Sequence, residues 1–216
     1  LKLVATAKHF AVHSGPESTR HSINVDVSER DLRETYLPAF KLSVDEAGVA
    51  SIMCAYNRFR NEACCGSNLL LQNILRNEWN FDGYVVSDCW AIRDFFEPGR
   101  HGVSATASEA AALAVKSGTD LNCGNVYDAY LIEAVEKGQI SEKEVDQALV
   151  RLFTARFRLG MFDNPETVKW ASIPYEVVGS EKHRALALQS SRESIVLLKN
   201  TNKLLPLSRD ISKLAV

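Results

Sequence analysis

Long hydrophobic runs are missing from this 216-residue sequence. Every apolar stretch falls far short of the roughly 20 residues that a helix needs to cross a bilayer, so a membrane partner is not expected. A dominant charge is missing too. Lys+Arg 25 against Asp+Glu 27 leaves a formal net charge of -2, and the charged residues are scattered along the chain. Without a basic stripe or a charged tail, nucleic acid and charge-driven partners are disfavoured. Several chemical motifs are likewise absent. There is no phosphate-cradling glycine loop, no H-E-x-x-H or C-x-x-C pair to hold zinc and no G-x-S-x-G nucleophile elbow. Neither a metal nor a cofactor is expected. What is present, 46% hydrophobic against 24% charged residues, is the balance of a globular chain rather than a disordered one.

The sequence opens without an initiator Met or a signal peptide, and residues 1–8 read as a buried strand. Residues 213–216 enter another apolar run. Strands at both ends would leave unpaired edges, so the sequence reads as a fragment of a longer chain.

Between these ends, apolar runs alternate with helical patterns. Runs at 3–9, 49–55 and 84–87, and a shorter one at 119–122, read as strands. Ser28 opens a helix carrying Leu32, Tyr36, Phe40 and Val44 and closing at Gly48, with Asp31 placed as in a capping box. Ser67 or Asn68 caps a second helix with Leu70, Ile74 and Leu75. Ser108 is expected to cap an Ala-rich helix closed by Gly118. Helices at 126–137 and 141–158 follow, the latter opened by Ser141 and Glu144 and stopped by Gly160. Periodicity then vanishes around Pro165 and Pro174. Ser180 starts a last helix, and residues 195–198 read as a new strand.

Four strand–helix units imply an α/β fold with a parallel sheet, about half of an eight-stranded barrel of the TIM type. Parallel α/β folds carry their chemistry at the carboxyl ends of the strands. Here those ends offer Lys8 and His9, then Tyr56 and Asn57, then Asp88. Each has a plainer reading. Asp88 could cap a helix or form a turn, Lys8 and His9 could be a phosphate site, a base pair or a surface pair, and Tyr56 could bond backbone with its hydroxyl. A carboxylate, cationic and imidazole donors and an aromatic ring on one rim suit a neutral, polyhydroxylated ligand.

Taken together, these segments resemble glycoside hydrolase family 3. The resemblance rests on Thr6-Ala7-Lys8-His9-Phe10, Met53-Cys54-Ala55-Tyr56-Asn57 and Gly83-Tyr84-Val85-Val86-Ser87-Asp88. Gly118-Thr119-Asp120 and Glu193-Ser194-Ile195-Val196-Leu197-Leu198-Lys199-Asn200 follow in order. The resemblance implies the C-terminal half of a barrel domain over residues 1–160, a linker over 161–179, and the first elements of an α/β sandwich domain over 180–216. It implies a retaining β-glycosidase with Asp88 as nucleophile. Lys8, His9 and Arg20 would donate to sugar hydroxyls, Tyr56 would lie beside the nucleophile, and Met53 would form part of the subsite wall.

Many members place Trp directly after the nucleophile, where this chain has Cys89 and then Trp90. Cys there resembles the xylosidase-type members and related glucosidases. The loop from His13 to His21 lacks the Asp-x-His-like dyad of the β-N-acetylglucosaminidases, so that subclass is disfavoured and the acid/base is expected outside this chain. The implied substrate is an oligosaccharide or glycoside ending in β-linked glucose or xylose, with a slight lean to glucose. The rival is a sugar-binding remnant without turnover, and the chain alone is expected to be inactive and prone to aggregate. Family members are often periplasmic or secreted, which favours that location slightly.

Five cysteines are present. Cys89 and Cys123 follow the ends of consecutive strands, which lie about 4.8 Å apart in a sheet, and are expected to meet at the rim as a disulfide or a close thiol pair. Cys54 and Cys65 resemble a pair found in some secreted members. The alternative for each is a buried free thiol.

Overall fold

The computed structural model describes residues 1–213. Two compact units are present, Leu1–Val168 and Lys169–Val216. In the first, the strands are β1 (Thr6–Phe10), β2 (Asn24–Val25), β3 (Ser51–Cys54), β4 (Arg58–Phe59), β5 (Glu62–Ala63) and β6 (Tyr84–Ser87). They form a parallel sheet in the order β1-β3-β6 and a small second sheet in the order β2-β4-β5. The helices are α1 (Glu29–Asp31), α2 (Pro38–Asp45), α3 (Ala107–Ser117), α4 (Val126–Glu136) and α5 (Glu142–Arg158), with π-helical stretches at Leu32–Tyr36 and Asn68–Glu78. The architecture is α/β, as in a TIM-type barrel, and neither sheet closes among the described residues.

Strand register decides which side chains reach the rim. Ser51, Ile52, Met53 and Cys54 pair in step with Tyr84, Val85, Val86 and Ser87, so β3 and β6 end level, just before Ala55 and Asp88. Between β1 and β3 the pairing skips a residue: Lys8 sits opposite Met53 and Phe10 opposite Cys54. His9 is the skipped residue, and a bulge of this kind re-aims a side chain.

The core lies between the sheet and its helices. Ile52 and Val85 are fully buried beneath Leu70, Leu71, Ile74 and Leu75 of the Asn68–Glu78 helix. The Ser67 hydroxyl caps that helix by accepting the Leu70 N–H at 3.1 Å. Phe10 meets Phe40 and Trp79 edge-on, with ring centroids 5.1 and 5.8 Å apart, a geometry that aligns ring edges with ring faces. Ala110, Ala111 and Ala114 give α3 a flat, buried face. Gly83, directly before β6, is required sterically: a Cβ there would stand 2.4 Å from the Ala50 carbonyl oxygen.

Four sequence expectations need correction. Residues 1–5 form no strand, and Leu1 and Leu3 are exposed; pairing begins only at Thr6, where Ser51 supplies a partner. The strand expected at 119–122 contracts to one parallel bridge, Val86 to Leu121. The Asp120 carboxylate accepts the Val85 N–H at 2.8 Å and so takes a donor that a longer ladder would use. The Ala-rich helix is capped by Thr106 rather than Ser108. Thr106 and Glu109 satisfy one another's backbone donors reciprocally, whereas Ser108 has Ala111 at the matching position.

The fourth correction falls in the second unit, where α6 (Glu181–Ser194) is capped by Ser180. Residues 195–198 form no strand. A β-branched run needs a neighbour to complete its ladder, and the second unit contains none among its described residues. The apolar run expected at 213–216 lies, beyond Lys213, outside the described residues.

Candidate active site

Asp88 ends β6 and is almost completely buried. Its backbone N–H donates to the Cys54 carbonyl at 3.2 Å, and its own carbonyl accepts the Ala91 N–H at 3.1 Å, fixing the main chain on both sides. Of the two carboxylate oxygens, Oδ1 accepts the Cys89 N–H at 2.8 Å. Oδ2 is buried and makes no directed hydrogen bond among the described residues. His9 Nε2 stands 3.1 Å from that oxygen, close enough for charge attraction but outside hydrogen-bonding geometry. Burial pulls the His9 pKa below its ordinary value, Asp88 opposes that shift, and Lys8, His13 and Arg20 add to it. At neutral pH the imidazole is therefore uncharged, and Asp88 is left as a carboxylate with one uncommitted oxygen. A buried oxygen of this kind costs free energy unless a ligand uses it.

Tyr56 follows β3 and lies beside the carboxylate. Its hydroxyl donates to the Cys89 carbonyl at 2.7 Å. Burial, reinforced by the negative charge of Asp88, raises the phenol to about 12, so it acts as a neutral donor. The Arg20 guanidinium lies over the Tyr56 ring, 4.9 Å from its centroid, and pairs with Glu17 at 2.6 Å. Asp88, His9, Tyr56 and Arg20 thus gather at one rim. Lys8 and Met53 do not join their polar contacts among the described residues. Lys8 is exposed and Met53 half-buried, side by side on β1 and β3.

Four groups absent from the sequence-derived candidates complete the rim. His13 Nδ1 lies 3.1 Å from the Asn57 amide oxygen, and its ring is 5.1 Å from that of His9. His21 packs its edge on Tyr56 at 4.5 Å and bonds the buried Asp94 at 2.7 Å. His101 is buried, with Nε2 bonded to the Tyr56 carbonyl at 2.7 Å. Four of the chain's five histidines therefore surround Tyr56 and Asp88. That concentration, three of them within the first 21 residues, was the signal available in the sequence.

Two disulfides are present. Cys89 and Cys123 are joined with Cα atoms 4.4 Å apart, as the strand geometry leads one to expect, and Cys54 and Cys65 are joined at 5.1 Å. The first ties the turn after the nucleophile candidate to the loop after Leu121. Trp90 N–H donates to the Cys123 carbonyl at 2.7 Å, and Cys123 N–H to the Ser87 hydroxyl at 2.9 Å, so the link is braced on both sides. In the chain-entropy account a closure over 34 residues removes about 4 kcal/mol of unfolded-state freedom. Cys64 is a buried free thiol, pushed up to about 12 by burial.

A buried carboxylate with a free oxygen, flanked by neutral and cationic donors, can attack or orient an electrophilic carbon while the donors hold hydroxyl groups. Similarity to known proteins agrees in kind. A xylan 1,4-beta-xylosidase of Xylanibacter ruminicola is 51% identical over 218 residues, covering 100% of this chain and 25% of the relative. Among solved structures, a GH3 exo-beta-xylosidase (XlnD) in complex with a xylobiose aziridine activity based probe superposes with a TM-score of 0.88 at 33% identity, covering 98% of this chain and 28% of that one. A beta-glucosidase from Listeria innocua superposes at 0.81 and 29%, covering 95% and 28%. The chain spans about a quarter of the length of the curated relatives it matches. Residues 2–155 match the Glycosyl hydrolase family 3 N terminal domain, and on that match the chain belongs to glycosyl hydrolase family 3.

Proposed function

We propose that the enzyme containing this chain removes terminal β-linked xylose from oligosaccharides or glycosides with retention of configuration. The observation that carries the reading is the buried, uncommitted Oδ2 of Asp88 at the carboxyl end of β6. In this reading Oδ2 attacks the anomeric carbon, the glycosidic C–O bond breaks, and a glycosyl ester forms on Asp88. Water then attacks the same carbon and releases the sugar and the carboxylate. A neutral His9 suits this role, because a charged imidazolium at 3.1 Å would hold the attacking oxygen in an ion pair.

His9, Arg20 and Lys8 donate to sugar hydroxyls, Tyr56 fixes the turn that carries Asp88, and Met53 lines the sugar's apolar face. Residues 1–160 are proposed as half of a barrel of the TIM type, 161–179 as a linker and 180–216 as the start of an α/β sandwich. Asp94, the other buried carboxylate at this rim, is held by His21. The acid/base that protonates the leaving oxygen is therefore assigned to the part of the enzyme that corresponds to the rest of the relatives' length.

The choice of xylose over the glucose that the sequence slightly favoured is supported by the 51% identical relative, whose name is a xylosidase. The test is kcat/KM of the full-length enzyme on matched aryl β-xyloside and β-glucoside. The expected result is a preference for xyloside of about tenfold or more, the scale by which a pocket discriminates one small group. Equal or reversed values would return the assignment to glucose.

A further inference from the structure

The contact between His21 and Arg20 defines a chain of three residues behind the candidate sugar site. Arg20 Nε donates to His21 Nε2 at 3.0 Å, and His21 Nδ1 lies 2.7 Å from Asp94 Oδ2. Arginine carries donors only. His21 Nε2 must therefore present its lone pair, which places the imidazole proton on Nδ1, where the Asp94 carboxylate accepts it. The two neighbours together fix the tautomer and leave His21 neutral. Asp94 is itself immobilised: it is buried, Arg100 Nε lies 3.6 Å from its second oxygen, and its backbone carbonyl accepts the His101 N–H at 2.8 Å. His101 in turn holds the Tyr56 carbonyl at 2.7 Å.

We propose that His21 and Asp94 are positioning residues that set the guanidinium of Arg20 over Tyr56 for contact with a sugar hydroxyl. The inference rests on the reading of Arg20 as a substrate donor. Without His21, the remaining anchor of Arg20 among its hydrogen-bonded partners is Glu17, an exposed side chain. A long side chain tied at one solvent-exposed end regains rotamer freedom that binding must remove again. Arg20 has five donors, of which Nε is engaged by His21 and Nη1 by Glu17. Fixing Nε orients the whole planar fork, because the guanidinium is rigid. His21 also presses its edge on the ring beneath Arg20, so one imidazole orients both the cation and the surface on which it lies.

The test is a double-mutant cycle in the full-length enzyme: Arg20→Ala, His21→Ala and the double variant, with kcat/KM on an aryl β-xyloside and the melting midpoint of each. The expected loss is about tenfold or more for each single variant, the range for a hydrogen bond to a charged group. The double variant should be no worse than Arg20→Ala, because His21 acts through Arg20. His21→Gln, whose side-chain oxygen can accept the Arg20 donor, should recover most of the loss. Losses that multiply in the double variant would overturn the inference, as would wild-type activity in His21→Ala. So would a His21→Gln variant that melts normally yet remains as slow as His21→Ala. If Arg20→Ala alone is silent, the substrate role of Arg20 is wrong and the inference falls with it.

Discussion

Replacing Asp88 with Ala in the full-length enzyme is expected to lower kcat on an aryl β-xyloside by ~10,000-fold or more, the scale seen when a nucleophile that acts as a unit with its neighbours is removed. Folding should survive, since the main chain at Asp88 is held by backbone bonds to Cys54 and Ala91 that alanine retains. Only the side-chain bond from Cys89 N–H to Oδ1 is lost. The vacated space permits a stricter check. Azide can enter from the face that Oδ2 occupied and attack the anomeric carbon of a substrate with a good leaving group. The C–N bond forms as the aryloxide departs, giving a glycosyl azide of inverted configuration. Recovery of rate with azide, and an α-linked product by NMR, would identify Asp88 as the group that attacks from that face. Near wild-type turnover without azide would remove Asp88 from the mechanism.

The second large effect concerns stability. Asp120 is buried, with Arg76 Nη2 and Arg151 Nη1 each 2.9 Å from its carboxylate and the Val85 N–H at 2.8 Å. Arg76 also donates to the carbonyls of Phe81 and Gly83 at 2.7 and 2.6 Å. This network joins the Asn68–Glu78 helix, the start of β6 and α5. Burial pushes the Asp120 carboxyl up, opposed by Arg76, and draws Arg76 down to about 10. The guanidinium remains charged at neutral pH, and two cations flanking one carboxylate keep all three ionised. Asp120→Ala would strand a buried guanidinium and free the Val85 N–H. The expected cost is about 3–5 kcal/mol, read as a lower urea midpoint for the transition that contains this domain. Because β6 carries Asp88 at its end, activity should fall at temperatures where wild type is still active. An unchanged midpoint would show that the network contributes orientation alone.

The parts of the site that sequence made legible were those written in consecutive residues. The short β-branched run Tyr84–Ser87 ending on Asp88 needs no tertiary information to be read as a strand with an acid at its carboxyl end. Tyr56 after β3 is of the same kind. Asp94 and His101 lie in an irregular stretch without periodicity, and their roles arise only when the chain returns beside Tyr56. His21 stood next to Arg20 in plain view, but its partner is 73 positions away. Local chemistry also misplaced one boundary: Ser108 looks like a cap until Thr106 and Glu109 are seen to satisfy one another. The strand expected at 195–198 had the composition but no neighbouring ladder, and composition alone does not make a sheet.

The central claim is that Asp88 Oδ2 forms a covalent bond to the sugar. Incubating the full-length enzyme with a 2-deoxy-2-fluoro β-xyloside bearing a good leaving group tests it directly, because the fluorine slows hydrolysis of a glycosyl ester and leaves the nucleophile tagged. Peptide mass spectrometry should find the fluorosugar on the peptide containing Asp88, with activity lost in proportion to labelling. A stoichiometric tag on any other carboxylate would contradict the account.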